Sequence, residues 1–186
     1  MNEKRKPPKA YANALPKAWG NRFPINVREI AREFSSIQPD PISKIEPISV
    51  PLEDFEGALL RKAGGKTWGI AYSDEIREEG KINFTIAHEL GHYLLHRADH
   101  GQVLCCEDDL RDFARMSQVA RNIEQEANDF ASYLLMPISD YRNQVSGSPV
   151  NLAFLAYCAS RYGPSLAASA FKLIDFMARP SVVLFL

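Results

Sequence analysis

The apolar positions of this chain fall into short runs of two periods, punctuated by prolines and glycines. Asn26-Val-Arg-Glu-Ile-Ala-Arg-Glu-Phe34 carries apolar side chains at 27, 30, 31 and 34. That is the period of an amphipathic helix, with Asn26 at the cap position. Prolines 39, 41, 47 and 51 then exclude a long helix and imply an extended, irregular connection. Two short apolar runs, 57–63 and 66–73, flank Gly64-Gly65 and read as a β-hairpin. A polar stretch leads into a helix over 81–97, on which Ile86, Leu90 and Leu94 with the small Ala87 and Gly91 can pack inward. Residues 99–117 are polar, acidic at Glu107, Asp108, Asp109 and Asp112, and read as a surface crossover. A second stripe of Ile123, Ala127, Phe130, Ala131 and Leu134 runs to Pro137, which ends its helix. Ser148-Pro149 opens and Gly163 closes a third helix, and 164–178 forms a fourth. The final Ser181-Val-Val-Leu-Phe-Leu186 is β-prone and needs pairing or burial.

The helix over 81–97 also carries the chemistry. It contains His88-Glu89-x-x-His92, the spacing by which one helix offers two imidazoles to a zinc ion. Four residues advance a helix by ~400°, so the two histidines project from one face a turn apart. Glu89 lies ~100° round from His88, beside a metal rather than on it, where a base can hold water. His96 continues the stripe but stands ~12 Å along the axis from His88. That is too far to share one ion, so its expected place is behind the ligands or at the helix end. The second helix supplies the carboxylate, and two glutamates compete for the role. Glu124 lies on the side of Ala127, Asn128 and Ala131, where small residues allow two helices to approach closely. Glu126 lies on the flank of Asp129 and Tyr133 and stays open as the alternative. Asn128, one turn after Glu124, can reach a ligating imidazole. Tyr133, Tyr141 and Arg161 are candidate oxyanion donors, none singled out by the sequence.

Composition narrows the setting. The 186 residues are 46% hydrophobic with a formal net charge of −1, enough for a core and without a general pull toward nucleic acid or anionic lipid. No apolar run approaches the ~18 residues of a membrane span, and the first nine residues lack the apolar core of a secretory signal. Three cysteines, an odd number, point to reduced thiols and a cytoplasmic location. Adjacent Cys105 and Cys106 have no second pair at zinc-ribbon spacing. Residues 1–24 form a basic, proline-punctuated tail whose Lys4, Arg5, Lys6 and Lys9 read as solvated. Residues 25–145 form the metal-bearing domain. Residues 146–186 form a helical extension ending in a strand, helix-turn-helix-like in outline and packed on the same domain. Its second helix carries only Lys172 before Arg179, too few donors for reading DNA.

Phe84-Thr-Ile-Ala-His-Glu-Leu-Gly-His-Tyr-Leu-Leu-His96 followed by Glu124-x-x-Ala-Asn-x-Phe-Ala-x-x-Leu-Leu-Met-Pro137 resembles the ImmA/IrrE family of bacterial and phage metallopeptidases. The helix from residue 24 and the 57–73 hairpin match that family's order of elements, and the likeness covers roughly 24–178. The resemblance implies an α+β, zincin-like fold, a small twisted sheet packed on the metal-binding helices. It implies His88, His92 and Glu124 as Zn2+ ligands and Glu89 as general base. It also implies cleavage of an Xre-type helix-turn-helix repressor, with binding of an Xre-type partner without cleavage, as in a toxin–antitoxin pair, as the alternative. The substrate is expected to lie along a sheet edge, with 66–73 as the candidate edge.

Overall fold

The computed structural model describes residues 7–20, 22–49, 56–98, 103–106, 118–146, 149 and 151–174. Two helices come first, α1 (Pro8–Ala18) and α2 (Val27–Ser36), followed by strands β1 (Ile42–Ile48), β2 (Gly57–Arg61) and β3 (Trp68–Ser73). Helix α3 (Glu79–Leu95) leads to strand β4 (Val103–Cys106), and α4 (Gln118–Leu135), α5 (Ile138–Ser146), α6 (Leu152–Tyr162) and α7 (Leu166–Ile174) complete the chain order. The architecture is α+β, with a four-stranded mixed sheet ordered β1-β3-β2-β4.

Local chemistry explains most boundaries. Asn26 caps α2 by accepting a hydrogen bond from the Glu29 amide at 3.2 Å. The expected hairpin is β2 with β3, antiparallel from Gly57↔Tyr72 to Arg61↔Trp68, and its turn passes through Gly64 at φ +65°. Strand β1 pairs with β3 in parallel, Ile45 opposite Ile70 and Pro47 opposite Tyr72. The connection read as irregular is thus a strand. It tolerates Pro47 because β1 is an edge among the described residues, where a missing N–H costs no ladder bond on the open side. Helix α6 begins later than Ser148-Pro149 suggests, because Asn151 accepts from the Phe154 amide at 2.9 Å and serves as its cap. It ends on Gly163 at φ +84°, a left-handed turn that glycine takes without strain. Ser148 and residues 175–186 lie outside the described residues, as do Lys4, Arg5 and Lys6.

Residues 8–18 belong to the stretch that the sequence suggests as a tail, yet they form a helix. Pro8 occupies the start of α1, where an N–H would be unpaired in any case. Ala12 and Leu15 are buried, and the helix packs on α4. Helix α5 starts directly after Pro137, with Tyr141 fully buried.

One core lies between the sheet and helices α1 to α4, with Ile30, Leu59, Trp68, Ile70, Ile86, Leu90, Phe130 and Leu134 almost wholly buried. Each such side chain contributes ~1.5–3 kcal/mol by leaving water. A smaller cluster of Met136, Tyr141, Phe154, Cys158, Tyr162 and Leu173 holds α5, α6 and α7 together. Asp40 ties the end of α3 to the sheet. Its carboxylate accepts from Trp68 Nε1 at 2.9 Å and from Arg97 Nε at 3.2 Å, and its carbonyl accepts from Tyr93 Oη at 3.1 Å.

The tightest packing is between α3 and α4. A Cβ added to Gly91 would stand 3.1 Å from Phe130 Cδ1 and 3.3 Å from the Cα of Ala127. A larger residue must push the helices apart. We expect Gly91→Val to lower the unfolding free energy by ~1–3 kcal/mol in urea denaturation. An unchanged midpoint would refute the close approach.

Candidate metal centre

The spacing of His88 and His92 on α3 turns both imidazoles toward α4, and the close approach at Gly91 brings α4 within reach. His88 Nε2 lies 2.8 Å from His92 Nε2. Glu124 Oε2 lies 3.1 Å from His88 Nε2, and its Oε1 lies 3.4 Å from His92 Nε2. One ligand atom from each residue falls within 4.8 Å of the others. Zinc–ligand bonds of ~2.0–2.2 Å place tetrahedral donors roughly 3.3 Å apart, so two imidazole nitrogens and a carboxylate fit a divalent metal ion in both chemistry and spacing. No other such group of donors occurs among the described residues. Cys105 and Cys106 fall on β4, away from this set in the chain.

The surroundings orient the donors. Asn128 Oδ1 lies 2.9 Å from His88 Nδ1, as its place one turn after Glu124 suggests. An Nδ1–H donated to Asn128 leaves the Nε2 lone pair facing the cluster. Glu126, the competitor of Glu124, points elsewhere: its Oε2 lies 3.0 Å from His96 Nε2. His96 caps the C-terminus of α3, and its Nδ1 lies 3.1 Å from His92 Nδ1. It therefore stands behind His92, in keeping with its distance along the helix.

Electrostatics follow from burial. Dehydration works against a charge on His88, but the hydrogen bond it donates to the Glu124 carboxylate and the charges of Glu89 and Glu124 outweigh it and raise its pKa. Burial likewise opposes ionisation of Glu124, yet hydrogen bonds and charge from both imidazoles bring its carboxyl down to about 2.

Glu89 has the opposite environment. It is fully buried, and neither carboxyl oxygen makes a hydrogen bond of good geometry among the described residues. Burial pushes its carboxyl up to about 8, against the pull of His88 and the nearby Leu59 backbone. Strand β2 reaches this carboxyl through Gly57, where an added Cβ would stand 3.1 Å from Glu89 Oε1 and 2.4 Å from Thr85 Cγ2. Gly57 carried no signal in the sequence beyond its place at the start of a strand.

The three candidate oxyanion donors are engaged in other contacts. Tyr141 Oη donates to the Ser169 carbonyl at 2.8 Å. Arg161 is held by Asp140 through two bonds of 2.9 Å. The Tyr133 ring faces Lys172 Nζ at 3.4 Å from its centroid. The strand 66–73 is likewise no edge: β3 is paired on both sides, and among the described residues the edges are β1 and β4.

Comparison with known proteins places these features in context. Residues 44–173 match the model of Peptidase_M78, the IrrE N-terminal-like domain, which spans every candidate donor and most of the core. A solved structure, a Mycobacterium tuberculosis transcriptional regulator, is similar in fold with a TM-score of 0.57 at 17% sequence identity. The match covers 93% of this chain and 48% of that one, so the chain spans about half the length of that protein. Among curated proteins none matches. No helix among the described residues is long and apolar enough to cross a membrane.

The two glutamates can be separated directly. In metal analysis after exposure to excess zinc, Glu124→Gln is expected to lose stoichiometric zinc while Glu126→Gln keeps it. The reverse result would hand the ligand role to Glu126.

Proposed function

The chain belongs to the IrrE N-terminal-like peptidase family, and on that premise we propose that it is a zinc-dependent endopeptidase acting on an Xre-type transcriptional repressor. The observation that carries the reading is the pairing of a three-donor cluster with a buried carboxyl that bonds to neither helix. A purely structural metal site has no use for Glu89, whereas a hydrolytic one needs a base within reach of water.

His88 and His92 would hold the ion through Nε2, and Glu124 would hold it through its carboxylate. A zinc ion bound there supplies Lewis acidity, lowering the pKa of water and polarising a peptide carbonyl. Glu89 orients the attacking water and takes its proton. It then gives that proton to the leaving amine. Asn128 holds the His88 ring in the tautomer the site requires. Strand β4 is the better candidate for docking an extended substrate, because its partner β2 meets Glu89 at Gly57. The repressor as substrate follows from the family resemblance. The likeness to a transcriptional regulator is compatible with a role in gene control.

Purified protein, zinc and an Xre-type repressor encoded beside it form the test. Chelator-sensitive fragments are expected, and Glu89→Gln should retain zinc but cleave ~10²–10⁴-fold more slowly. Cleavage by that variant at the parental rate would refute the mechanism. An intact, stable complex with the repressor would replace proteolysis by sequestration.

A further inference from the structure

His92 meets one carboxylate of α4 directly and is linked to a second through His96. Its Nε2 meets Glu124, while its Nδ1 meets His96 at 3.1 Å, and His96 Nε2 in turn meets Glu126 Oε2 at 3.0 Å. Both imidazoles are fully buried, whereas the Glu126 side chain is 42% exposed. We propose that His96 and Glu126 are positioning residues that fix the His92 ring and strengthen it as a metal donor through a chain of hydrogen bonds.

The direction of this chain follows from donor chemistry. A carboxylate only accepts, so His96 Nε2 carries the hydrogen shared with Glu126. In a neutral His96, Nδ1 is then a lone pair that must accept, and His92 Nδ1 is left as the donor. The His92 Nε2 lone pair consequently faces His88 and Glu124. Without that carboxylate the Nδ1–Nδ1 contact could run in either direction, His92 donating to His96 or His96 to His92. The exposed carboxylate removes that ambiguity.

The two imidazoles of the cluster are therefore supported unequally. His88 leans on the neutral amide of Asn128 at 2.9 Å, while His92 leans on an imidazole backed by a negative charge. Electron density pushed toward Nε2 makes His92 the stronger donor of the pair. It also gives both glutamates of α4 a use: Glu124 meets the metal-facing edge of His92, and Glu126 acts on the opposite edge through His96. The inference rests on the reading of His92 as a zinc ligand, but not on peptidase activity.

Zinc affinity, measured by chelator competition on the full chain, is the readout. His96→Phe fills the buried space without an acceptor and is expected to weaken zinc binding by about 10–100-fold. Glu126→Gln, a change at a partly exposed side chain, should weaken it in the same direction by up to about ten-fold. Asp129→Asn removes an equal charge from the exposed flank of the same helix and should leave affinity unchanged. A packing role alone would lower the melting temperature of the metal-free variants and leave the dissociation constant where it was. Affinities of both His96→Phe and Glu126→Gln within about two-fold of the parent would overturn the proposal. A loss confined to His96→Phe would overturn the part given to Glu126. Should His96→Phe not fold, Glu126→Gln decides. A parent that binds no zinc removes the site and this proposal with it. A parent that binds zinc but cleaves no repressor removes only the peptidase activity.

Discussion

The contact of Gly91 with Phe130 and Ala127 is the constraint on which the rest of the site depends. Helices α3 and α4 can approach this closely only because one offers no side chain and the other offers a methyl group at the crossing. From that approach follow the reach of Glu124 to both imidazoles, of Asn128 to His88 and of Glu126 to His96. All three α4 side chains are short relative to the span between ordinarily packed helices, 8–10 Å between axes. The polar chemistry is thus a by-product of apolar packing. Ile86, Leu90, Phe130 and Leu134, fully buried around it, hold the crossing in place.

Dehydration then sets the electrostatic character of the two carboxyls. Glu124 and Glu89 are both taken out of water, but only Glu124 receives imidazole hydrogen bonds in exchange. The result is one carboxyl held near the bottom of its range and one lifted to about 8, two turns of chemistry within one cluster. A fold that keeps an uncompensated buried carboxyl carries a cost in stability, and the cost is understandable where the group must exchange protons.

Much of this was legible in the sequence. The 3.6-residue period, the Asn26 cap, the Gly64-Gly65 turn and the stripe ending at Pro137 each have a local cause, and each appears where its cause puts it. The convergence of His88, His92 and Glu124 was legible too, since helical projection plus two alanines define which faces can meet. What was not legible depended on tertiary context. Strand β1 contains Pro47 and follows Pro41, a pattern that argues against an interior strand, and its position at an edge among the described residues makes Pro47 harmless. Strand β4 spans four residues, too few for a period to register. Helix α1 looks like a charged tail because its buried apolar residues are few, Ala12, Leu15 and Pro16, and their partner is α4, a hundred residues away. The contact between Glu126 and His96 joins residues thirty positions apart and leaves no periodic trace, so the sequence offered Glu126 only as a rival ligand.

Gly57 ties the position of Glu89 to the register of the sheet. The same residue that lies against Glu89 pairs with Cys106, at the end of β4. A peptide laid along the open side of β4 would therefore be measured out against Glu89 in whole residues. A slip of one residue moves every carbonyl by ~3.4 Å and turns every side chain to the other face. In such an arrangement the residue that falls opposite Glu89 would be set by counting along the strand. Peptides with unrelated side chains would then meet Glu89 at the same ordinal position.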